Sequence, residues 1–339
     1  MTSLPDPRPR LSAMFADLTA TVAGIEAECR SLGPALAPSA LAHHRPTLYR
    51  AVVALGDWIN AFLAGDPPPA DIQAVKERVT GLIRLWSATG PFFDHSFGKL
   101  RGYPGDFETI EIIYNCRPSG ATLPALIFDD FYLHTMAARA VRNRLAYLVD
   151  RLGAEVRTQA HAGARSVRLL SLGSGPAREL ALLANDPVFC ETAAVTCLDL
   201  DQEALSFARE RLSGRFDGRV TYLRGNALRF ARDPNRPAQP FHIIYAAGLF
   251  DYLRPDQATQ LIQDCYGLLA PGGRLIIGNF CVELPANEQL LIEWLLEWCL
   301  LYRGEEDYRR ILAATSFDAD KLHFEYEPLR GNLFAVAER

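Results

Sequence analysis

The period of the apolar residues changes near residue 160, and this change constrains the fold more than any other feature of the sequence. From residue 167 onward, short apolar runs such as VRLLSL, AAVTCLDL and FHIIYAAG alternate with amphipathic stretches such as QEALSFARERL and QATQLIQDCYGLL. Strands that alternate with helices in this way form a parallel sheet with helices on both faces. We therefore predict an α/β domain over residues 160–339.

The first half of the chain carries a helical period instead. Stretches such as LSAMFADLTATVAGIEAECRSL and DIQAVKERVTGLIRLWSA repeat apolar residues at helical spacing, and GDPPPAD interrupts them where a helix cannot continue. These patterns predict an all-α N-terminal domain over residues 1–155, which we expect to serve as a lid and substrate-binding domain. The polar run TQAHAGARS predicts the boundary between the two domains.

The charge and the cysteine content exclude several classes of protein. A net charge of −5 lacks the basic excess that binds phosphate backbones, so no nucleic-acid partner is expected. The seven cysteines are scattered without paired metal-ligand spacing, so no metal site is predicted. No run is apolar enough to span a bilayer, and acidic residues interrupt the N-terminal stretch where a secretory signal is apolar. We expect a cytoplasmic protein.

A glycine turn follows the first predicted strand, in LLSLGSGPAREL. Gly173 and Gly175 allow a tight turn and the close approach of a ligand at the start of a helix. The second strand ends in CLDLD, where Asp199 is placed to accept the ribose hydroxyls of a nucleoside. Asp201 is an alternative ligand, but its position before QEALSFARERL favours a helix cap. The predicted cofactor contacts here are Gly173, Ser174, Gly175, Asp199 and Leu200.

Two further strand ends extend this predicted nucleoside site. The third strand ends at RGNAL, where Asn226 offers an amide to the edge of an adenine and Ala227 leaves room for its ring. The fourth strand ends at YAAGLFDYL, where Ala247 and Gly248 are small enough to pass beneath a bound cofactor. Phe250 is placed to cover the adenine.

Two features separate this pattern from that of nicotinamide-binding enzymes. Those enzymes usually carry a third glycine after the turn, where this chain has Arg178 and Glu179. The C-terminal run KLHFEYEPLRGNLFAVAER predicts a hairpin around Arg330 and Gly331. An antiparallel hairpin at the end of a parallel sheet is typical of methyltransferases.

Taken in chain order, the glycine turn, the acidic strand end, GNA, AAGLFDYL and APGGRLIIGNF resemble the class I S-adenosylmethionine (SAM)-dependent methyltransferases. GKLRGYPGDFETIEIIYN and AARAVRNR add a resemblance, from about residue 92, to the bacterial 3-hydroxypalmitic acid methyl ester synthase family of extracellular factor biosynthesis. The resemblance implies a Rossmann-like sheet, SAM as cofactor and S-adenosylhomocysteine as product. It also implies a small-molecule acceptor with an apolar part.

The segment RGYPGD lies outside any periodic element and is dense in polar side chains. We expect it to close over the cofactor. Arg101 is placed to pair with a carboxylate, either the methionine end of SAM or the acid of the substrate, while Tyr103 and Asp106 complete the wall. Tyr114 is a further candidate by position. The alternative is a simple turn held by an ion pair between Arg101 and Asp106.

Two helical stretches carry side chains whose role the pattern leaves open. In AARAVRNR, either Arg142 or Arg144 is expected to dock the RGYPGD segment or the SAM carboxylate, the alternative being a solvated basic face. The stretch ANEQLLIEWLLEWCLLYRG predicts a helix on which Trp294, Trp298 and Tyr302 form an aromatic stripe. Such a stripe favours a core position over a pocket.

The first functional hypothesis is carboxyl O-methylation of a fatty or hydroxy acid. A carboxylate is already ionised at neutral pH, because its reference pKa is about 4, and it needs no general base. A hydroxyl or amine acceptor would take its base from His95, Asp106 or Glu108. The alternatives are N- or O-methylation of a secondary metabolite, a non-catalytic SAM-binding regulator, and a nicotinamide oxidoreductase.

Overall fold

A computed structural model describes residues 7–33, 37–234 and 236–339. It divides into two compact units, a helical unit of Met1–Arg139 with Pro285–Cys299, and a sheet unit of Ala140–Leu284 with Leu300–Arg339. This division falls earlier in the chain than the predicted boundary between residues 155 and 160. The physical reason is that Leu152, before the predicted boundary, and Val156, within it, are both buried in the core of the sheet unit.

Helices fill the described chain ahead of the first strand. Their bounds are α1 (Pro7–Leu32), α2 (Ala37–Ala64), α3 (Pro69–Ser87), α4 (Pro91–Gly98), α5 (Phe107–Asn115), α6 (Leu123–Leu133) and α7 (Met136–His161). Helix α3 shows why they form: proline occupies its first turn, and Val75, Val79 and Ile83 recur every fourth residue on its buried face. Among the described residues, no helix combines the length and the apolar character needed to cross a bilayer.

A parallel sheet with an antiparallel edge organises the second unit. The strands are β1 (Val167–Leu172), β2 (Ala193–Asp199), β3 (Val220–Arg224), β4 (Phe241–Ala247), β5 (Leu269–Phe280), β6 (Leu322–Tyr326) and β7 (Asn332–Glu338). They pair in the order β3-β2-β1-β4-β5-β7-β6. Strands β1 to β5 are parallel, whereas β7 runs antiparallel to both β5 and β6. The predicted methyltransferase-type sheet with its terminal hairpin is confirmed.

Helices cover both faces of this sheet. They are α8 (Arg178–Leu183), α9 (Pro187–Thr192), α10 (Gln202–Arg211), α11 (Pro255–Leu268) and α13 (Glu305–Ala313), while α12 (Ala286–Leu290) belongs to the helical unit. Successive residues of a strand point to opposite faces. Leu169 and Ile243 accordingly join the core formed with α7, α8 and α10, and Leu170 and Ile244 join the core formed with α11 and α13.

The buried carboxylate of Glu327 holds the turn between β6 and β7. Its oxygens accept hydrogen bonds from the backbone nitrogens of Leu329 at 2.9 Å, Gly331 at 2.6 Å and Asn332 at 3.2 Å. The Nδ2 of Asn143 on α7 donates a fourth bond at 2.7 Å. A buried charge is stable only when its hydrogen-bonding capacity is filled, as it is here.

The helix predicted after residue 285 is much shorter than expected. Helix α12 ends at Leu290 and a single π turn covers Leu291–Leu295, after which Glu297 adopts the left-handed conformation with φ +49°. A left-handed residue ends a helix. Trp298 and Tyr302 therefore lie beyond the helix, and the predicted aromatic stripe with Trp294 does not form.

Replacement of Glu327 by alanine should lower the free energy of unfolding by about 3 kcal/mol, because it leaves buried donors without an acceptor. Urea denaturation followed by circular dichroism measures the change. Glu210→Ala on the exposed face of α10 is the control and should shift stability by less than about 0.5 kcal/mol. Equal stability of the two variants would contradict the role given to Glu327.

Candidate active site

The glycine turn lies where β1 meets its two neighbours in the sheet. Strand β1 pairs with β2 on one side and with β4 on the other, so the chain order reverses here, at the usual ligand crevice of an open parallel sheet. Gly173 and Gly175 have φ +64° and +51°, which glycine adopts without strain. The backbone nitrogens of Gly173 and Ser174 donate to the carbonyl of Leu198 at 2.9 and 3.1 Å, which ties the turn to β2.

Asp199 at the end of β2 points its carboxylate at the glycine turn. Its Oδ2 accepts a hydrogen bond from the Gly175 nitrogen at 2.7 Å, and its Oδ1 accepts one from the Asp201 nitrogen at 2.9 Å. Burial raises the pKa of Asp199, and these two hydrogen bonds oppose the rise. Each carboxylate oxygen has a further lone pair, so the group can also accept ribose hydroxyls. The structure thus brings Asp199 and the glycine turn together.

The neighbouring acid, Asp201, has the capping role that its sequence position favoured. Its side chain accepts hydrogen bonds from the backbone nitrogens of Glu203 and Ala204 in the first turn of α10. Leu200, between the two acids, exposes 63% of its side chain and is thus open to a ligand. Of the two acids, only Asp199 is hydrogen-bonded to the glycine turn through a contact that the structure records.

Asn226 at the end of β3 caps a turn with one atom of its side-chain amide and leaves the other atom for a ligand. Its Oδ1 accepts from the Leu228 nitrogen at 2.9 Å and caps the 3₁₀ turn Ala227–Arg232. The cap uses the carbonyl oxygen, so Nδ2 is the atom left to meet an adenine as a donor. Asn226 and Ala227 are both partly exposed, as a contact with a ligand requires.

The end of β4 differs from the prediction in one side chain. Phe250 is fully buried in the hydrophobic core shared with α11, so its ring is enclosed by protein rather than available to a cofactor. The Cβ of Leu249 lies 3.5 Å from where a Cβ on Gly173 would be, so Leu249 adjoins the glycine turn. Ala247 and Gly248 are partly exposed.

Arg144 of α7 is a buried cation beside the end of β4. Gly248 has φ +104°, and a Cβ there would lie 3.1 Å from Nη1 of Arg144, so the guanidinium rests against the Gly248 backbone. The sequence left open whether Arg142 or Arg144 turns inward. Arg144 is only 4% exposed, and this burial answers the question.

A buried polar network backs this cation. Asp251 lies with Oδ2 3.9 Å from Nη1 of Arg144, and its Oδ1 accepts a hydrogen bond from the Phe280 nitrogen at 2.7 Å. Burial raises the pKa of Asp251 to about 7, although Arg144 and Arg303 both act to lower it. At neutral pH this carboxyl is therefore only partly ionised and supplies only part of a counter-charge to Arg144.

Arg303 completes this network, and the sequence predicted neither Arg303 nor Asp251 as part of it. Its Nη1 donates to Oδ1 of Asn279 at 2.8 Å, and the guanidinium also donates to the carbonyls of Phe250 and Leu253. The hydroxyl of Tyr308 donates to the same Asn279 oxygen at 2.9 Å. Asn279 on β5 thus supports the end of β4 from within the core.

The candidate residues of the RGYPGD segment lie in the helical unit. Nη1 of Arg101 is 3.2 Å from Oε1 of Glu108, and its guanidinium lies 4.6 Å from the centre of the Phe107 ring. Tyr103 is 40% exposed and Tyr114 is partly exposed on α5. The catalytic role of this set stays a prediction.

Three of the residues considered as proton acceptors cluster in this segment. Nε2 of His95 lies 2.9 Å from Oε2 of Glu108 and 3.3 Å from Oδ1 of Asp106. Asp106 is fully buried and caps α5 by accepting from the backbone nitrogens of Glu108 and Thr109. The cluster therefore joins an imidazole to two carboxylates.

Comparisons with known proteins agree with this geometry. Residues 170–275, from β1 into β5, match a family model described as a methyltransferase domain. The apo structure of SibL, an S-adenosylmethionine-dependent methyltransferase, superposes with a TM-score of 0.51 at 17% identity over 98% of each chain. A Bordetella parapertussis structure described as a possible exported protein gives a TM-score of 0.56 at 21% identity, over 69% of this chain and 79% of that chain. Comparison with curated sequences gives no significant match.

The glycine turn, the strand-end carboxylate and the terminal hairpin form a methyltransferase-type sheet, and the family match covers the part of it from β1 into β5. The chain therefore carries a methyltransferase domain. The residues present would suit S-adenosylmethionine as a cofactor, because a hydrogen-bonded carboxylate faces a turn whose glycines leave the backbone open to a nucleoside.

The Asp199→Ala variant should bind SAM about 10- to 100-fold more weakly, because hydrogen bonds to a charged acceptor contribute about 1.5–3 kcal/mol. Isothermal titration calorimetry measures the affinity. Asp201→Ala is the matched control: it removes a helix cap and about 1 kcal/mol of stability but should leave SAM affinity unchanged. An Asp199→Ala variant with wild-type affinity would overturn the assignment.

Proposed function

We propose that the enzyme methylates the carboxylate of a small organic acid with an apolar part, such as a fatty or hydroxy acid, in the cytoplasm. The buried and incompletely paired guanidinium of Arg144 carries the proposal for the acceptor. The free state of all seven cysteines supports the compartment, because disulfides are rare in the reducing cytoplasm.

Arg144 has the properties of an anion-binding residue. Its Nε is buried and makes no hydrogen bond, and the 3.9 Å between Nη1 and Asp251 is too long for one. Buried polar groups normally find partners, and those that do not call for an explanation. A substrate carboxylate is a group that a guanidinium binds well, since two parallel N–H bonds match its two oxygens.

The position of Arg144 suits an acceptor bound beside the cofactor. The guanidinium rests against Gly248, and the next residue, Leu249, adjoins the glycine turn. Bound SAM supplies an electrophilic methyl group on its sulfonium. The residues of the protein would then align an acceptor oxygen with that methyl and exclude water, since a carboxylate needs no deprotonation at neutral pH.

A hydroxyl or amine acceptor is the second candidate function. The contacts of His95 with Glu108 and Asp106 favour it, because an imidazole oriented by carboxylates is a common general base. The two functions differ in the product, since a methyl ester is cleaved by base whereas a methyl ether or methylamine is not.

The experiment incubates the enzyme with methyl-labelled SAM and a panel of fatty, hydroxy and amino acids, and then treats the products with base. We expect label in apolar acids, released as methanol by base. A labelled product that survives base would contradict carboxyl methylation and support the His95 alternative.

The Arg144→Gln variant should raise KM for the acid at least about tenfold while SAM affinity stays within about twofold, because a lost bidentate pair costs only acceptor binding. Arg142→Gln, on the same helix but partly exposed, is the control and should leave both constants near wild type. An Arg144→Gln variant that loses SAM affinity to the same degree would place the guanidinium on the methionine carboxylate instead.

A further inference from the structure

Cys116, His134 and Asp130 form a nucleophile, a base and an orienting group at the C-terminal ends of α5 and α6. Sγ of Cys116 lies 3.7 Å from Nε2 of His134. Nδ1 of His134 lies 2.8 Å from the backbone oxygen of Asp130 and 3.4 Å from its Oδ1. We propose that Cys116 is a reactive thiol that hydroperoxides oxidise to a sulfenic acid. His134 accepts the thiol proton and donates it to the leaving group. This inference is independent of the methyl-transfer site.

The contacts of His134 fix which of its nitrogens can serve the thiol. The Asp130 carbonyl can only accept a hydrogen bond, so Nδ1 carries a proton. In the neutral ring, Nε2 is then the acceptor, and it faces Cys116, whose Sγ also lies 3.9 Å from the Leu133 carbonyl as a donor. Transfer of the thiol proton gives a thiolate beside an imidazolium. The backbone carbonyl and Oδ1 of Asp130 stabilise this cation.

Further charges around the pair favour the thiolate. Arg45 of α2 holds Asp130 through two bonds of 2.8 Å, from Nε to Oδ2 and from Nη2 to Oδ1. The Asp130 bond raises the pKa of Arg45, and the same guanidinium interacts electrostatically with Cys116. Asp129, which precedes Asp130 on α6, accepts hydrogen bonds from the backbone nitrogens of Phe92 and Ser119. Its carboxylate is therefore bound to the backbone and not to the Cys116–His134 pair.

Access separates Cys116 from the core cysteines. Cys29, Cys197, Cys265 and Cys281 are buried, and burial raises the pKa of each of these thiols. Cys116 is partly exposed, unlike these four residues. Charge and access are the two properties that reactive cysteines combine.

The oxidation balances with the groups at hand. The thiolate attacks the terminal oxygen of the hydroperoxide, an S–O bond forms and the O–O bond breaks. Sulfur loses two electrons, which leave with the second oxygen as hydroxide or alkoxide. The Nε2 proton of the His134 imidazolium neutralises this leaving group as water or an alcohol.

The test measures alkylation of the intact protein by iodoacetamide between pH 5 and 9, with each cysteine followed by peptide mass spectrometry. Cys299 is exposed and serves as the internal control. We expect Cys116 to be alkylated about tenfold faster than Cys299 at pH 6.5. Coincident profiles would overturn the proposal, and this comparison needs no variant.

A second arm adds hydrogen peroxide with dimedone, which traps sulfenic acids, to the wild type and to His134→Asn. Dimedone should label Cys116 in the wild type, and the variant should lose most of this labelling while Cys299 is unaffected. Rapid alkylation without dimedone labelling would overturn hydroperoxide as the oxidant. Unchanged labelling in His134→Asn would overturn the role of the histidine.

Discussion

The 2.7 Å hydrogen bond from the Gly175 nitrogen to Asp199 is the interaction on which the rest of the site depends. It joins the turn after β1 to the end of β2, and it forms because parallel neighbouring strands bring their carboxyl ends to one edge of the sheet. The left-handed conformations of Gly173 and Gly175 keep the turn open to a ligand. A nucleoside bound there meets a backbone and a carboxylate already in place.

The second constraint is the balance of charge beneath the end of β4. Arg144, Asp251 and Arg303 are all buried, and two cations there face one carboxyl whose pKa burial raises to about 7. Arg303 fills its donors with carbonyl oxygens and Asn279, whereas Arg144 keeps a buried Nε without a partner. The excess of positive charge therefore lies at Arg144, beside Gly248, and the proposal of an anionic acceptor rests on it.

Much of this fold follows from the sequence, as do the positions of the glycine turn and Asp199, because they depend on local patterns. The period of two predicts the strands, a glycine pair predicts the turn, and an acid at a strand end predicts Asp199. The direction in which each side chain points could not be predicted from the sequence. The helical period places Arg142 and Arg144 only two residues apart, and only packing against β4 shows which is buried. The prediction that Phe250 covers the adenine was wrong for the same reason, since an apolar residue after a strand can either cover a ligand or enter the core.

Long-range contacts explain the remaining differences. Glu288 of α12 accepts hydrogen bonds from the Tyr49 hydroxyl at 2.7 Å and from the backbone nitrogens of Met136 and Ala137 at 3.1 and 3.2 Å. These contacts bind a late segment into the helical unit across more than 150 residues of sequence, a distance over which local periodicity carries no information. The cluster of Cys116 with His134 is equally invisible in sequence, since its members come from separate helices.

A crystal structure of the enzyme with S-adenosylhomocysteine tests the central claim most directly. The account predicts that both ribose hydroxyls lie within hydrogen-bonding distance of the Asp199 carboxylate, with the nucleoside over Gly173 and Gly175. A ribose bound by Asp201 instead, or a nucleoside bound away from the glycine turn, would contradict it.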